Sequence, residues 1–341
     1  MNRTMKRWTL DQPGRQNLKM ISAEIPVPGQ NEVLVRVSAV SLNFRDKVII
    51  EGGMGNGMPM PFTPGSDMAG VVEAVGPGTT RFSPGERVIS TFFPDWIDGK
   101  LPNTARNPLY DTIGYAFQGV LAEYVIMNEA WLVKSPQSLS DAEASTLVCA
   151  GLTAWFALVE RGGLRAGETV LIQGTGGVAL FALQIAKAVG AEVFITSSSD
   201  EKLAAAKALG ADYGINRKKE DWVDAVHRLT GERGIDHVVD TVGGSNVADS
   251  VRAVASHGRV SLIGMMDKDD ITVSGSMLLL KSPTVQGIGV GHRRALEDLV
   301  RAVDSIKLKP VIDKRYSFSE LTQALDQLDN GAFGKIVINV G

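Results

Sequence analysis

The stretch that most constrains this 341-residue chain is Val170-Leu-Ile-Gln-Gly-Thr-Gly-Gly-Val-Ala179. An apolar run reaches Gly174, small residues recur at Gly176 and Ala179, and a helix-like pattern continues to about Val189. The spacing is G-x-G-x-x-A. The first glycine permits a tight turn, the second lets backbone approach a pyrophosphate, and the third small residue lets helix and strand pack closely. The first turn of the helix offers free N–H groups and the positive end of its dipole to phosphates. A glycine turn alone is weak evidence; its place after a strand and before a helix is what the motif requires. Gly174, Thr175, Gly176, Gly177 and Val178 are therefore expected to bind a dinucleotide.

The surroundings fit an α/β fold. Runs at 169–173, 192–196, 237–240 and 259–263 read as strands apolar on both faces, with helical segments between, the signature of a doubly wound parallel sheet. Ser198 and Glu201 have capping-box spacing at the start of the second helix. The first 130 or so residues read differently. Val33, Val35 and Val37 alternate with polar or small neighbours, and short runs at 70–75, 87–90 and 120–126 are separated by Pro-Gly turns. That pattern predicts a small barrel or sandwich. Two domains suit the length, at roughly 100–200 residues each.

The uncharged run 169–186 has membrane-span length but contains Gln173, Gln184 and three glycines, which a strand, turn and helix explain better. Basic residues at the N-terminus precede no apolar stretch, so no targeting segment is expected and the chain is read as cytoplasmic. Thirty-five Lys and Arg against 38 Asp and Glu leave a net charge of −3, without the basic field that nucleic acid or an anionic membrane would need. A single Cys excludes an intramolecular disulfide and a four-thiolate zinc site.

The turn after the second strand decides between cofactors. An NAD site usually carries an acidic residue there to hold the ribose hydroxyls. Here the strand ends Thr196-Ser197-Ser198-Ser199, and Asp200 falls in the first helical turn. Hydroxyls leave room for a 2′-phosphate, and Lys202 and Arg217 are candidate cations for it. The alternative for Lys202 and for Lys218-Lys219 is a solvated surface. NADP is the expected cofactor, with Ser197, Ser198, Lys202 and Arg217 around its 2′-phosphate.

Motifs along nearly the whole chain resemble the medium-chain dehydrogenase/reductase superfamily. They are Asn43-Phe-Arg-Asp46, Pro64-Gly-Ser-Asp67, Gly85-Glu-Arg-Val88, Cys149-Ala-Gly-Leu-Thr153, the glycine loop, Asp240-Thr-Val-Gly-Gly244, Gly258 to Gly264 and Gly334-Lys335. The resemblance implies a GroES-like catalytic domain from both chain ends (1–136 and 286–341) and a Rossmann domain at 137–285. It implies a homodimer or homotetramer, often paired through Rossmann edge strands, here near 284–289. It places Thr153 against the nicotinamide half, and Gly264 and Lys335 at the cofactor. The zinc branch has its metal ligands at the positions of Asn43, Ser66-Asp67 and Cys149. One thiol and one carboxylate fall short of the three protein ligands a catalytic zinc needs, so no metal is expected and Cys149 reads as a packed thiol. The zinc-free quinone-oxidoreductase-like branch fits better, although its frequent Tyr is Val48 here.

The candidate catalytic residues are Asn43 and Asp67. Asn43 either hydrogen-bonds a substrate oxygen or a relaying water, or caps a turn. Asp67 serves as an acid only if burial raises its pKa, and Asp46 reads as structural. The aromatic-rich segment 92–117 either walls an apolar pocket or packs on itself, and Tyr110 or Tyr115 is a candidate proton donor. The expected function is metal-free hydride transfer between NADPH and an apolar quinone, enone or aldehyde. An alcohol dehydrogenase and a non-catalytic NADPH-binding protein are the alternatives.

Overall fold

The computed structural model describes residues 3–54, 58–106, 111–265 and 270–341. The chain divides into two compact units, Met1–Leu152 with Gly291–Gly341, and Thr153–Val290. The first unit thus runs past the expected edge at 136. Residues 137–152 stay with it because the helix Asp141–Ser145 packs on the strands Glu32–Leu42 and Asp67–Val75, with Ala142 buried against Ala39 and Val337.

The first unit is built on a seven-stranded sheet. Its order is Ile312–Ser317, Lys335–Asn339, Glu32–Leu42, Asp67–Val75, Arg87–Ser90 and Leu132–Lys134, with Tyr124–Asn128 also paired to Glu32–Leu42. Val33, Val35 and Val37 point into the core as their alternation predicts. Leu34 is buried too, because this strand is central. The C-terminal strand lies antiparallel beside it, Ile336 opposite Leu42 and Ile338 opposite Val40. Both ends of the chain therefore share one apolar core, with Ile336, Ile338 and Leu325 among Val35, Phe62 and Val88. The expected strand at 120–126 begins only at Tyr124. Gly119, Val120 and Leu121 instead donate their N–H groups to Thr63, Gly65 and Pro64 carbonyls, clamping the loop that delivers Ser66 and Asp67.

The second unit is a six-stranded parallel sheet in the order Tyr213–Asn216, Glu192–Ser197, Thr169–Gln173, Ile235–Asp240, Val254–Leu262, Thr284–Gly287. In chain order this is 3-2-1-4-5-6, the doubly wound arrangement, whose ligand crevice opens at the carboxyl ends of the strands where the order reverses. Thr169–Gln173 is buried throughout and feeds the helix Gly177–Val189. The uncharged run 169–186 is thus strand, turn and helix, and no described helix is long and apolar enough to cross a membrane.

Candidate active site

In the first unit the motif residues converge on one polar cluster. Asn43 ends the strand Glu32–Leu42 and caps the helix Phe44–Ile50 through a capping box, its backbone N–H donating to Asp46 Oδ2 at 2.7 Å. Its amide Nδ2 donates to Ser66 Oγ at 3.4 Å, and Ser66 Oγ donates to Asp67 Oδ1 at 2.6 Å. Asp67 Oδ2 accepts the backbone N–H of Cys149 at 3.0 Å. Lys335 arrives from the C-terminal strand. Its ammonium donates to the Leu42 carbonyl at 2.7 Å and to Asn43 Oδ1 at 2.6 Å. Asn43, Asp46, Ser66, Asp67 and Lys335 are all buried.

Burial sets the protonation of this cluster. It pushes the Asp67 carboxyl above its ordinary range, opposed by the Lys335 charge and by hydrogen bonds from Ser66, Asn43 and the Cys149 amide. It pushes Asp46 up to about 7, with the neighbouring Asp67 adding to the shift. It pushes the Cys149 thiol up to about 12, so the thiol stays protonated. A catalytic zinc needs three protein ligands. Here the candidate donors are one thiol and one carboxylate, which already accepts hydrogen bonds from Ser66 and the Cys149 amide. This donor set does not fit the metal. No group of three His, Cys, Asp or Glu suited to a metal exists among the described residues.

Lys335, expected at the cofactor, thus has its ammonium on Asn43. Tyr115 donates its hydroxyl to the Met54 carbonyl at 2.9 Å, and Tyr110 lies outside the described residues. The aromatic segment packs partly on itself and partly on other residues, Phe117 meeting Trp131. Phe92, Phe93 and Trp96 are buried and meet edge to face at centroid distances of 4.9 and 5.7 Å. Arg45 lies over the Phe92 ring at 4.9 Å and donates to Thr112 Oγ1. His292 packs its ring on Trp96 and caps the helix Arg293–Ile306, Nδ1 accepting from the Ala295 N–H at 3.0 Å.

In the second unit the glycine loop has the expected form. Gly174 sits at φ +79°, which favours glycine, and its N–H donates to the Thr196 carbonyl at 2.9 Å. Gly176 precedes the helix with open space where a Cβ would be. Gly177 and Val178 open that helix, and the Thr175 side chain is tucked inside. Thr153 is buried in a short α-helical stretch between two π-turns, Leu147–Gly151 and Phe156–Glu160; such bulges are frequent at functional sites. Gly264 works by close approach. A Cβ there would lie 2.1 Å from the Thr241 carbonyl carbon.

The ribose-end turn differs from expectation in one detail. The helix cap is Ser199, whose Oγ accepts the Lys202 N–H at 3.3 Å, and not Ser198. Ser197 Oγ accepts the Ser199 N–H at 3.3 Å, leaving Ser198 as the outer hydroxyl. Strand Tyr213–Asn216 runs parallel to Glu192–Ser197, Asn216 opposite Ser197, so exposed Arg217 emerges beside the serines, its N–H on the Ser197 carbonyl at 3.0 Å.

Two residues carry more than their motifs revealed. Buried Asp240 takes the N–H groups of Val242 and Gly243 on Oδ1, and Asn246 Nδ2 and Ser250 Oγ on Oδ2. It thereby shapes the loop after the fourth strand, at the crevice. Ser66 links Asn43 to Asp67, a part no spacing rule announces.

Two family profiles match the chain. The profile "Alcohol dehydrogenase GroES-like domain" matches residues 29–137, and "Zinc-binding dehydrogenase" matches 177–305. A solved structure of a putative alcohol dehydrogenase from Sinorhizobium meliloti 1021 is 58% identical over the full length of both chains, with a TM-score of 0.97. The chain belongs to the medium-chain dehydrogenase/reductase superfamily. A structure titled NAD-dependent alcohol dehydrogenase is 34% identical over 99% of this chain and 100% of its own, with a TM-score of 0.90. The human quinone oxidoreductase is 28% identical over 95% of this chain and 94% of its own. This superfamily member is an oxidoreductase whose Rossmann unit implies a nicotinamide cofactor.

Proposed function

We propose that this protein reduces apolar quinones, enones or aldehydes with NADPH, without a metal. The observation that carries the reading is the Lys335–Asn43–Ser66–Asp67 cluster. It puts a fixed ammonium and hydrogen-bonded side chains at the positions where the zinc branch carries its ligands. Without a Lewis acid, nothing there would generate an alkoxide from a simple alcohol at neutral pH. Reduction of an already polarised carbonyl asks less of the protein.

When bound, the dinucleotide supplies the hydride. The glycine loop and the first turn of Gly177–Val189 hold its pyrophosphate, and Ser197, Ser198, Lys202 and Arg217 hold the 2′-phosphate. Thr153 orients the nicotinamide end. Asn43 donates an N–H to the substrate oxygen, where negative charge grows as hydride reaches carbon. Asp67 sets the direction of hydrogen bonding behind it.

The test is oxidation of NADPH, with NADH in parallel, against quinones, enones and aldehydes, together with ethanol oxidation. Turnover of conjugated carbonyls by a metal-free preparation, well above ethanol oxidation, supports the reading. Efficient zinc-dependent ethanol oxidation overturns it in favour of an alcohol dehydrogenase.

A further inference from the structure

We infer that Lys335 is a positioning residue: its ammonium fixes the Asn43 amide with Oδ1 toward the lysine and Nδ2 toward Ser66 and Asp67. The inference deepens the reading above, in which Asn43 meets the substrate oxygen.

The chemistry of the donors sets the orientation. An ammonium has three donors and no acceptor, so the Asn43 atom 2.6 Å from Lys335 Nζ must be the carbonyl oxygen. Nδ2 is then committed to the opposite side, facing Ser66 Oγ. Ser66 Oγ accepts that hydrogen bond and donates its own O–H to Asp67 Oδ1 at 2.6 Å. Every hydrogen bond in the row Lys335, Asn43, Ser66, Asp67 donates in the same direction. A cation fixes one end and a carboxylate the other. The backbone of Asn43 is held as well, by Asp46 Oδ2 at 2.7 Å.

A lysine present only to neutralise a buried carboxylate would bond it directly. The acceptors of Lys335 are instead a main-chain carbonyl and the amide oxygen of Asn43. With Lys335 only 4% exposed, its desolvation is a substantial cost, and the interaction it makes with a side chain is the one that orients Asn43. An amide turned the other way would present its oxygen to a developing oxyanion and repel it. The cluster thus holds its N–H donor fixed before substrate arrives, the condition under which such a donor helps most.

The test compares wild type, Lys335→Met, Lys335→Arg, Asn43→Ala and the double variant Lys335→Met/Asn43→Ala. Protein labelled with ¹⁵N-asparagine is read by NMR, the Asn43 side-chain NH₂ pair being assigned by its loss in Asn43→Ala. In wild type this pair should exchange with solvent far more slowly than exposed asparagines. In Lys335→Met it should shift and exchange faster, and Lys335→Arg should restore part of the protection. NADPH binding, followed by fluorescence, should stay within twofold in Lys335→Met. With 1,4-naphthoquinone as acceptor, kcat should fall tenfold or more in Lys335→Met while the KM for NADPH holds. The double variant should be no worse than Asn43→Ala alone, the non-additivity of residues acting through one another.

Rapid exchange of the Asn43 NH₂ in wild type, a measurement that needs no altered lysine to fold, overturns the inference. So does a tenfold loss of NADPH binding in Lys335→Met, which would make Lys335 a cofactor ligand. Additive losses in the double variant also overturn it. If wild type reduces no carbonyl, the proposed activity fails, and the NMR result still decides the orientation of Asn43.

Discussion

Asp200 Oδ2 and Lys219 Nζ lie 2.6 Å apart, and Asp200 Oδ1 accepts from Asn216 Nδ2 at 2.7 Å. The Asp200 carboxylate is therefore already engaged with side chains at the end of the next strand and just beyond it. Arg217, whose N–H donates to the Ser197 carbonyl, is exposed and makes no ion pair among the described residues. The proposed use of NADPH rests on this arrangement. A hydrogen bond to a charged group contributes roughly 1.5–3 kcal/mol, toward the low end at an exposed site. Lys202→Ala and Arg217→Ala should each raise the KM for NADPH about tenfold with little change in kcat, since the 2′-phosphate is remote from the reacting carbon. Kinetics with NADH should barely respond. Equal losses with both cofactors would show that the substitutions damage the turn itself.

Purified protein should contain far less than one zinc per chain, and prolonged dialysis against a chelator should leave carbonyl reduction unchanged. The reason is the donor set, in which Asn43 and Ser66 stand at ligand positions and only Asp67 and Cys149 remain as candidate ligands, fewer than three. Elemental analysis giving one zinc per chain, with activity lost to chelator and regained with metal, would refute this.

Asp46 gives the protein a pH-dependent stability component. Its folded-state pKa stands near 7, above the ordinary 3.8, because burial and Asp67 disfavour the charged form. The native state therefore binds the proton more tightly than the unfolded chain. The resulting stability is fully present below about pH 4 and is lost as pH rises through 7. Asp46→Asn keeps an oxygen for the Asn43 N–H and removes this titration. Its Tm relative to wild type should climb between pH 4 and pH 8 by at least ~3 °C, what about 1 kcal/mol yields in a protein of this size class. A Tm difference that stays flat over that range would sink the assignment.

The strand Thr284–Gly287 forms one edge of the parallel sheet and is exposed along its length. Leu279 and Leu280, in the helix before it, are 77% and 80% exposed. An open edge beside exposed leucines is a pairing hazard unless another chain covers it. Light scattering should find a dimer or tetramer, and Leu279→Glu with Leu280→Glu should shift it toward monomer. A wild-type monomer at micromolar concentration would contradict this.

The nucleotide unit was legible because its chemistry is local. Gly174, Gly176 and Ala179 carry their reasons within six residues, and the helix Gly177–Val189 follows the predicted bounds. The cap slipped by one residue because Ser197, Ser198 and Ser199 are chemically alike, and only the backbone decides which of them turns. The polar cluster was legible residue by residue but not as a network. Asn43, Asp67 and Lys335 stood in recognisable motifs, yet 292 positions separate Asn43 from Lys335. Nothing local tells a lysine that it will meet an amide and not a phosphate. Ser66 was legible only as a lost metal-ligand position for the same reason: its linking role exists only between two partners.

The pairing of strand Lys335–Asn339 with Glu32–Leu42 also bears on how the protein is made. During translation, Glu32–Leu42 and Asn43 leave the ribosome long before their partner strand exists. Until Lys335–Asn339 emerges, residues 39–42 of the central strand lack a neighbour on one edge, and Asn43 Oδ1 lacks the ammonium that donates to it. A chain stopped short of Lys335 could keep every residue of its glycine loop and still be unable to complete the polar cluster around Asn43.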